Sequence, residues 1–441
     1  MSLRIRSCPL ACPCLVMERI TLFARNGRQK SLERLYTVRK EKMMVNKFAD
    51  KRTEWKEQIN EQLIPLDEGE WKQLDRFLEG KQIVLLGENS HWVSEYYTNK
   101  IKFVQYLYEK HGFRVLVLES GLVEASTTDF FGNTNLEDAM KNGLLDIYHN
   151  EEMTTLFTNE GLKDLTIAGM DVQPISNDCS QRILSCVEKE IGGHVANKLK
   201  DVEATFFELE PQIRNEVKLA KDTKKQLKQL AEGYEEVISL MENEMQAGVY
   251  SKRLQLIYRG IVNRKQWLLV NLKGRFRSGS LRDVFMYENL EWLFDYYKGE
   301  KIIVWSHNYH IRKNRSLLLK GLGIKTVGHL LAKQYAHSLL SVGFYAGSGT
   351  CLSPYKQPYD ISVKNQYHLE KLLMEFNRDV LFLPVNVDAI GKKRPWSKQN
   401  WWLLEMKWLG MAPLVIKPYK FYDAIFFVKR VNPPRYWEDQ D

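Results

Sequence analysis

The residues with most chemical reach lie in two short segments far apart in the chain, Gly87-Glu88-Asn89-Ser90-His91 and Val304-Trp305-Ser306-His307-Asn308-Tyr309-His310. Glu119 and Asp171 join them by their place in the pattern. Histidines with carboxylates suit general acid–base work. A neutral imidazole, with a pKa of ~6.5, can take a proton from water, and a carboxylate on its other nitrogen fixes the tautomer and steadies the imidazolium. The second histidine, or Lys100 one helical turn beyond Tyr96, could stabilise a developing oxyanion. The same residue types also bind zinc or manganese, and composition alone does not separate the two chemistries.

The elements that would position these residues can be read from texture. Ile83-Val84-Leu85-Leu86-Gly87 is a short apolar run of the kind that forms a buried parallel strand. Tyr96 to His111 has helical apolar spacing and Gly112 stops it. Val115 to Glu119 is the second strand of a βαβ unit, Leu165 to Met170 a third strand ending at Asp171, and Ile302 to Trp305 a fourth ending at Ser306-His307. A lone strand-end Glu or His is more often a loop hydrogen-bonder than a catalyst. Four strands in succession ending in Glu88 and His91, Glu119, Asp171 and His307 instead predict convergence on one crevice, because open α/β sheets bind ligands at the carboxyl ends of their strands.

Strand texture returns at Leu339 to Phe344, Val380 to Pro384 and Ala424 to Val428, so the expected class is α/β, with a mostly parallel or mixed central sheet flanked by helices. Trp55 to Phe77 reads as amphipathic helix broken at Pro65. Residues 177–299 are rich in Glu, Lys, Leu and Gln at helical spacing, with Pro211 and Gly233 as the main breaks. They predict a large helical insertion, whose bland role is packing and whose sharper role is a lid. The expected divisions are therefore a basic, disordered extension over 1–42, a core split between 55–176 and 300–441, and the insertion between them. Trp396, Trp401, Trp402 and Trp408 suggest packing or a pocket wall.

Other readings are weaker. The net charge is +9, but residues 1–42 hold ten Lys or Arg against three acids, so the body carries only about +2 and offers no basic stripe for nucleic acid. The six cysteines, at 8, 12, 14, 179, 186 and 351, show no metal-ligand spacing and are too few for a disulfide scaffold. The cytoplasm is the expected compartment: Pro9 and Pro13 interrupt the one stretch resembling an export signal, and no run reaches the ~18 apolar residues of a membrane span. A start at Met43 or Met44 would make the first 42 residues a reading extension. No G-x-S-x-G elbow, Walker loop or dinucleotide fingerprint follows a strand, and Gly347-Ser348-Gly349 reads as a turn. Water is thus a better nucleophile than Ser90 or Ser306.

Taken together, Gly87 to His91 with Glu95, His111-Gly112-Phe113, Leu118-Glu119, Gly169-Met170-Asp171-Val172-Gln173, Arg282-Asp283 with Met286 and Asn289, Val304 to His310, and Ser341 to Phe344 with Gly347 to Thr350 resemble the motifs of the erythromycin esterase family. The resemblance runs from about residue 60 to 430. It implies a general base at His91 that activates water against a macrocyclic lactone ester, with Glu88, Glu119, His307 and His310 as its partners. It further implies chemistry without a metal or other cofactor, a small-molecule ester as substrate, and a link to macrolide resistance in bacteria. Two positions depart from the family pattern. Lys100 stands where an arginine is usual and loses the planar fork, and Trp92 stands where many relatives have a small residue, which would narrow the pocket. Both departures favour a hydrolase for a different ester or amide, with no macrolide role. The residues also allow a metal-dependent hydrolase, or a non-catalytic, polysaccharide-associated binding protein on the same fold.

Overall fold

The computed structural model describes residues 52–437 apart from 67–69, 132–134, 216–218, 247, 249, 274, 354–355, 386–395 and 408–409. The basic segment 1–42, the three cysteines within it and Trp408 lie outside the described residues. The strands are β1 (Ile64–Pro65), β2 (Ile83–Leu86), β3 (Phe113–Gly121), β4 (Thr166–Asp171), β5 (Lys301–Trp305), β6 (Leu339–Leu352), β7 (Pro358–Ser362), β8 (Val380–Pro384), β9 (Trp401–Lys407), β10 (Gly410–Ile416) and β11 (Ala424–Val431). The helices that matter below are α1 (Ser94–His111), α2 (Leu122–Thr127), α3 (Ser180–Glu190), α4 (Gly193–Asn215), α5 (Lys221–Met245), α6 (Lys252–Leu272), α7 (Arg275–Tyr296) and α8 (Asn308–Ile311).

Two compact units divide the chain. The first, residues 107–305 with 436–437, has β3 at the centre of a parallel set, with β4 on one side and β5 on the other. Nearly every β3 side chain is buried, because helices cover both faces of a parallel strand and an unbroken apolar run is what such a strand requires. Helices α2 and α7 pack on β4. Helices α3 to α6 share a core of their own, in which Phe206 meets Trp267 edge-on at 5.2 Å and Tyr234 at 5.8 Å.

Neither expected break interrupts these helices. Pro211 lies within α4 and Gly233 within α5. Proline removes one backbone hydrogen bond, but Phe206 and Ile213 anchor α4 in the core on either side, and packing outweighs propensity. Gly233 serves close approach instead: a Cβ there would lie 3.2 Å from Val202 of α4.

The second unit, residues 52–106 with 306–435, carries the strand order β1-β8-β11-β6-β2. β2, β6 and β11 are parallel, β8 runs antiparallel to both its neighbours β11 and β1, and β7 pairs antiparallel with the far end of β6. The class is therefore α/β with a mixed sheet. Residues 52–60 are helical, but Pro65 stands in the edge strand β1, where its missing N–H does no harm. Gly347 to Gly349 also differ from expectation. They continue β6 instead of turning, and Gly349, at φ +125°, lets β11 approach so closely that a Cβ would meet the Val431 carbonyl oxygen at 1.9 Å. β9 and β10 form a separate hairpin.

Candidate active site

Gly87 carries the chain out of β2 while the backbone keeps pairing with β6: Gly87 N–H reaches the Val342 carbonyl at 2.8 Å and Asn89 N–H that of Phe344 at 3.1 Å. The next side chain, Glu88, is 1% exposed. Its Oε1 takes the Nδ1 proton of His91 at 2.6 Å, and its Oε2 takes the ammonium of Lys100, which α1 projects into the interior. Burial alone would raise the Glu88 pKa, but Lys100 first and His91 second more than offset it and hold the carboxyl below its ordinary value. Glu88 is thus an anion with both oxygens engaged. With its proton on Nδ1, neutral His91 keeps a lone pair on Nε2, a tautomer assigned from the partner.

His307 is held the opposite way. It caps the start of α8, and its Nδ1 accepts the Tyr309 N–H at 3.1 Å. A neutral ring in that arrangement carries its proton on Nε2. The ring centroids of His91 and His307 are 5.0 Å apart, and Trp92 meets His91 edge-on at 5.5 Å. His310 is fully buried next to Tyr309, the rings edge-on at 5.3 Å.

Asparagines stitch the two segments together. Asn308 gives its backbone N–H to the Glu88 carbonyl at 2.7 Å, and its side chain both donates to the Phe344 carbonyl and accepts the Phe344 N–H. Asn89 donates to the Leu404 carbonyl at 2.9 Å and accepts from the Tyr96 hydroxyl at 2.7 Å, while Met406 N–H binds its carbonyl at 2.9 Å. Glycine is needed at 87 because a Cβ would sit 2.1 Å from the Asn308 side-chain oxygen.

In the first unit, Glu119 and Asp171, at the ends of β3 and β4, share a partner from α7. Arg282 donates through Nε at 2.9 Å and Nη2 at 2.6 Å to the two oxygens of Asp171, and through Nη2 at 3.0 Å to Glu119. Asp171 also accepts from Val172 N–H and the Gln173 amide, each at 2.7 Å. A two-pronged guanidinium clasp of this kind fixes carboxylate direction as well as charge.

The predicted residues thus fall into two described groups: Glu88, His91, Trp92, Lys100 and His307 with the buried His310, and Glu119 with Asp171. Sequence reasoning gave no role to Asn89, Tyr96, Asn308 or Met406 in the His91 group, nor to Arg282 beside Glu119 and Asp171. Arg282, Asn89 and Asn308 did stand within the motifs that carry the family resemblance. Their roles were not legible, since they depend on which backbone atoms and carboxylates the fold brings near. Among the described residues, no group of three or more His, Cys, Asp or Glu is arranged to hold a metal ion.

The class defined by these parts is an α/β protein with a half-buried imidazole paired to a buried carboxylate at the carboxyl end of a parallel strand. The chain belongs to the erythromycin esterase family, whose family model matches residues 108–431. It is 27% identical to the inferred hydrolase YbfO of Bacillus subtilis (strain 168) over 424 residues, 86% of this chain and 91% of the relative. It is 38% identical to an Escherichia coli erythromycin esterase type I, but over 61 residues, 14% of this chain and 15% of that protein. Among solved structures, a succinoglycan biosynthesis protein aligns at TM-score 0.71 and 18% identity, covering 88% of this chain and 99% of the other. A variant of the erythromycin esterase EreC in its open conformation aligns at TM-score 0.63 and 17% identity, covering 83% and 95%. At such identities the structural likeness concerns the fold.

Proposed function

We propose that this protein hydrolyses a carboxylic ester, a macrolide lactone or a related compound, by water attack with His91 as general base. The observation that supports this most is the pairing of half-buried His91 with buried Glu88, which makes Nε2 the basic nitrogen beside a second imidazole of opposite tautomer. In the reaction, His91 Nε2 removes a proton from water as the oxygen bonds to the carbonyl carbon. The negative charge that develops on the carbonyl oxygen is met by the Nε2–H of His307. Collapse of the tetrahedral adduct breaks the bond to the alcohol oxygen, which takes the proton back from His91, leaving acid and alcohol. Glu88 steadies the imidazolium, and Lys100 keeps Glu88 ionised. We assign His310, buried within α8 against Tyr309, a positioning role for that segment. Within their own unit, we assign Glu119 and Asp171 the task of aiming Arg282. Trp92 limits the room beside His91.

The test is a screen of simple esters and macrolides with His91→Ala as control. Wild type should convert at least one ester, and an opened lactone would be read as a product heavier by one water. His91→Ala should lose turnover by a factor of about 100 or more. Near wild-type turnover in the variant would remove His91 from its assigned role.

A further inference from the structure

Beside the His307 segment lies a pocket that the hydrolytic chemistry does not use. Its walls are mainly apolar, with Tyr309, Leu319, Met406, Leu414 and Phe421 prominent, and it encloses ≈ 610 Å³ of open space, mouth included. Tyr309 stands between His307 and His310, and Met406 touches the first motif through the Ser90 hydroxyl and the Asn89 carbonyl. Two charged side chains, Arg312 and Glu405, reach its wall, although only 7% and 4% exposed.

The hydrogen bonds of this pair can be counted through. Arg312 Nη2 and the Tyr345 hydroxyl both bind Glu405 Oε1, at 2.5 Å and 2.7 Å. Arg312 Nε donates to the Tyr422 hydroxyl oxygen at 3.1 Å. Burial pushes the Tyr422 phenol up to about 12 and the Tyr345 phenol up as well, so both keep their protons. Since Tyr345 spends its proton on Glu405, Tyr422 must donate to Tyr345 across their 2.9 Å contact. The ring Arg312–Glu405–Tyr345–Tyr422 is thereby closed. What remains is Glu405 Oε2, buried and without a hydrogen-bond partner. A buried acceptor left unsatisfied is costly, and native structures rarely keep one without a reason.

We propose that this pocket receives a compact apolar group of the substrate bearing one neutral hydroxyl, whose hydrogen is taken by Glu405 Oε2. A largely apolar surface, with a buried carboxylate oxygen lacking a hydrogen-bond partner at its wall, suits such a group. An ammonium suits it less. Arg312 is held in its charged form by Glu405 in spite of burial, so the pair is already neutral, and a second cation would meet a guanidinium in a poorly screened setting. The term "substrate" rests on the hydrolytic reading; the binding chemistry does not.

Ligand-observed NMR titrations of the full chain with cyclohexanol, methylcyclohexane and cyclohexylammonium test it. Cyclohexanol should bind about tenfold more tightly than either of the others, the worth of one hydrogen bond to a charged acceptor. In Glu405→Gln the amide oxygen can keep Arg312 and Tyr345 while its NH₂ replaces Oε2, so the preference for the alcohol should vanish. Leu414→Trp, at a half-buried wall position outside the ring, should block all three probes. His91→Ala should bind the alcohol like wild type. The proposal is overturned if no probe binds, if alcohol and hydrocarbon bind equally, if the ammonium binds best, or if Glu405→Gln keeps the preference. Retained ester turnover in His91→Ala would overturn the hydrolytic reading and leave these titrations untouched, so the two failures are distinguishable.

Discussion

At His91 the ring gives its Nδ1 proton to a carboxylate, and at His307 the ring receives a backbone proton on the same atom. One residue type is thereby given two chemical characters by its neighbours alone. The third member of this arrangement, Lys100, carries a prediction. Burial raises the Glu88 pKa and Lys100 is the main influence opposing it. Because the folded value is depressed, Glu88 contributes stability above its unfolded pKa, and that contribution is lost only as pH falls through the lower folded value. In Lys100→Met, burial is opposed by His91 alone. The acid limb of the pH profile of kcat/KM should therefore move to higher pH, and acid unfolding should begin at higher pH, both relative to wild type. An unmoved acid limb would mean that Glu88 ionisation does not govern activity. Glu88, His91 and His307 were legible in the sequence because strand ends and residue types are written there. The direction of each hydrogen bond was not, since the partner of His307 is a peptide N–H that belongs to no motif.

Among the elements, the helices α3 to α6 place an ion cluster inside their core. Arg264 of α6, 2% exposed, lies 2.9 Å from Glu124 of α2 and 3.6 Å from Glu203 of α4, with Tyr234 of α5 donating to Glu203 at 2.5 Å. Glu124 in turn accepts the Ile175 N–H at 3.0 Å, in the loop that follows Asp171. Arg264→Leu would leave two buried carboxylates without their cation, and should lower unfolding free energy by about 3–5 kcal/mol in denaturant titration. A change below about 1 kcal/mol would show the cluster to be mere packing. Periodicity made the helical character of 177–299 legible but misplaced its breaks. Pro211 and Gly233 are local signals, and the contacts that overrule them join residues some thirty positions apart. Strand ends suffered likewise: β6 runs on to Leu352 because β7 and β11 pair with its later half.

For the molecule as a whole, family membership supports a hydrolase and leaves open what is consumed. Solved neighbours named for different roles share the fold at under 20% identity, and a fold alone does not fix a substrate. The metal question can be approached on chemistry. Both Glu88 oxygens are engaged, and an ammonium lies against one of them, which opposes a divalent cation there. Prolonged dialysis against a chelator should leave ester turnover within about twofold of the untreated protein. Loss of turnover restored by zinc or manganese would overturn this.

The bond from Met406 to Asn89 joins peptide group to peptide group, as do those from Asn308 to Glu88 and from Ser306 to Leu86. Peptide links are indifferent to which side chains flank them. The hairpin β9–β10 can therefore exchange a residue that faces the pocket, such as Leu414, without breaking these peptide links to the loop that bears His91. On the hydrolytic reading, such a scaffold would let substrate preference change at the hairpin while the loop that bears His91 stays as it is. Relatives that differ most in diet should then differ at this hairpin sooner than at Glu88 or His307.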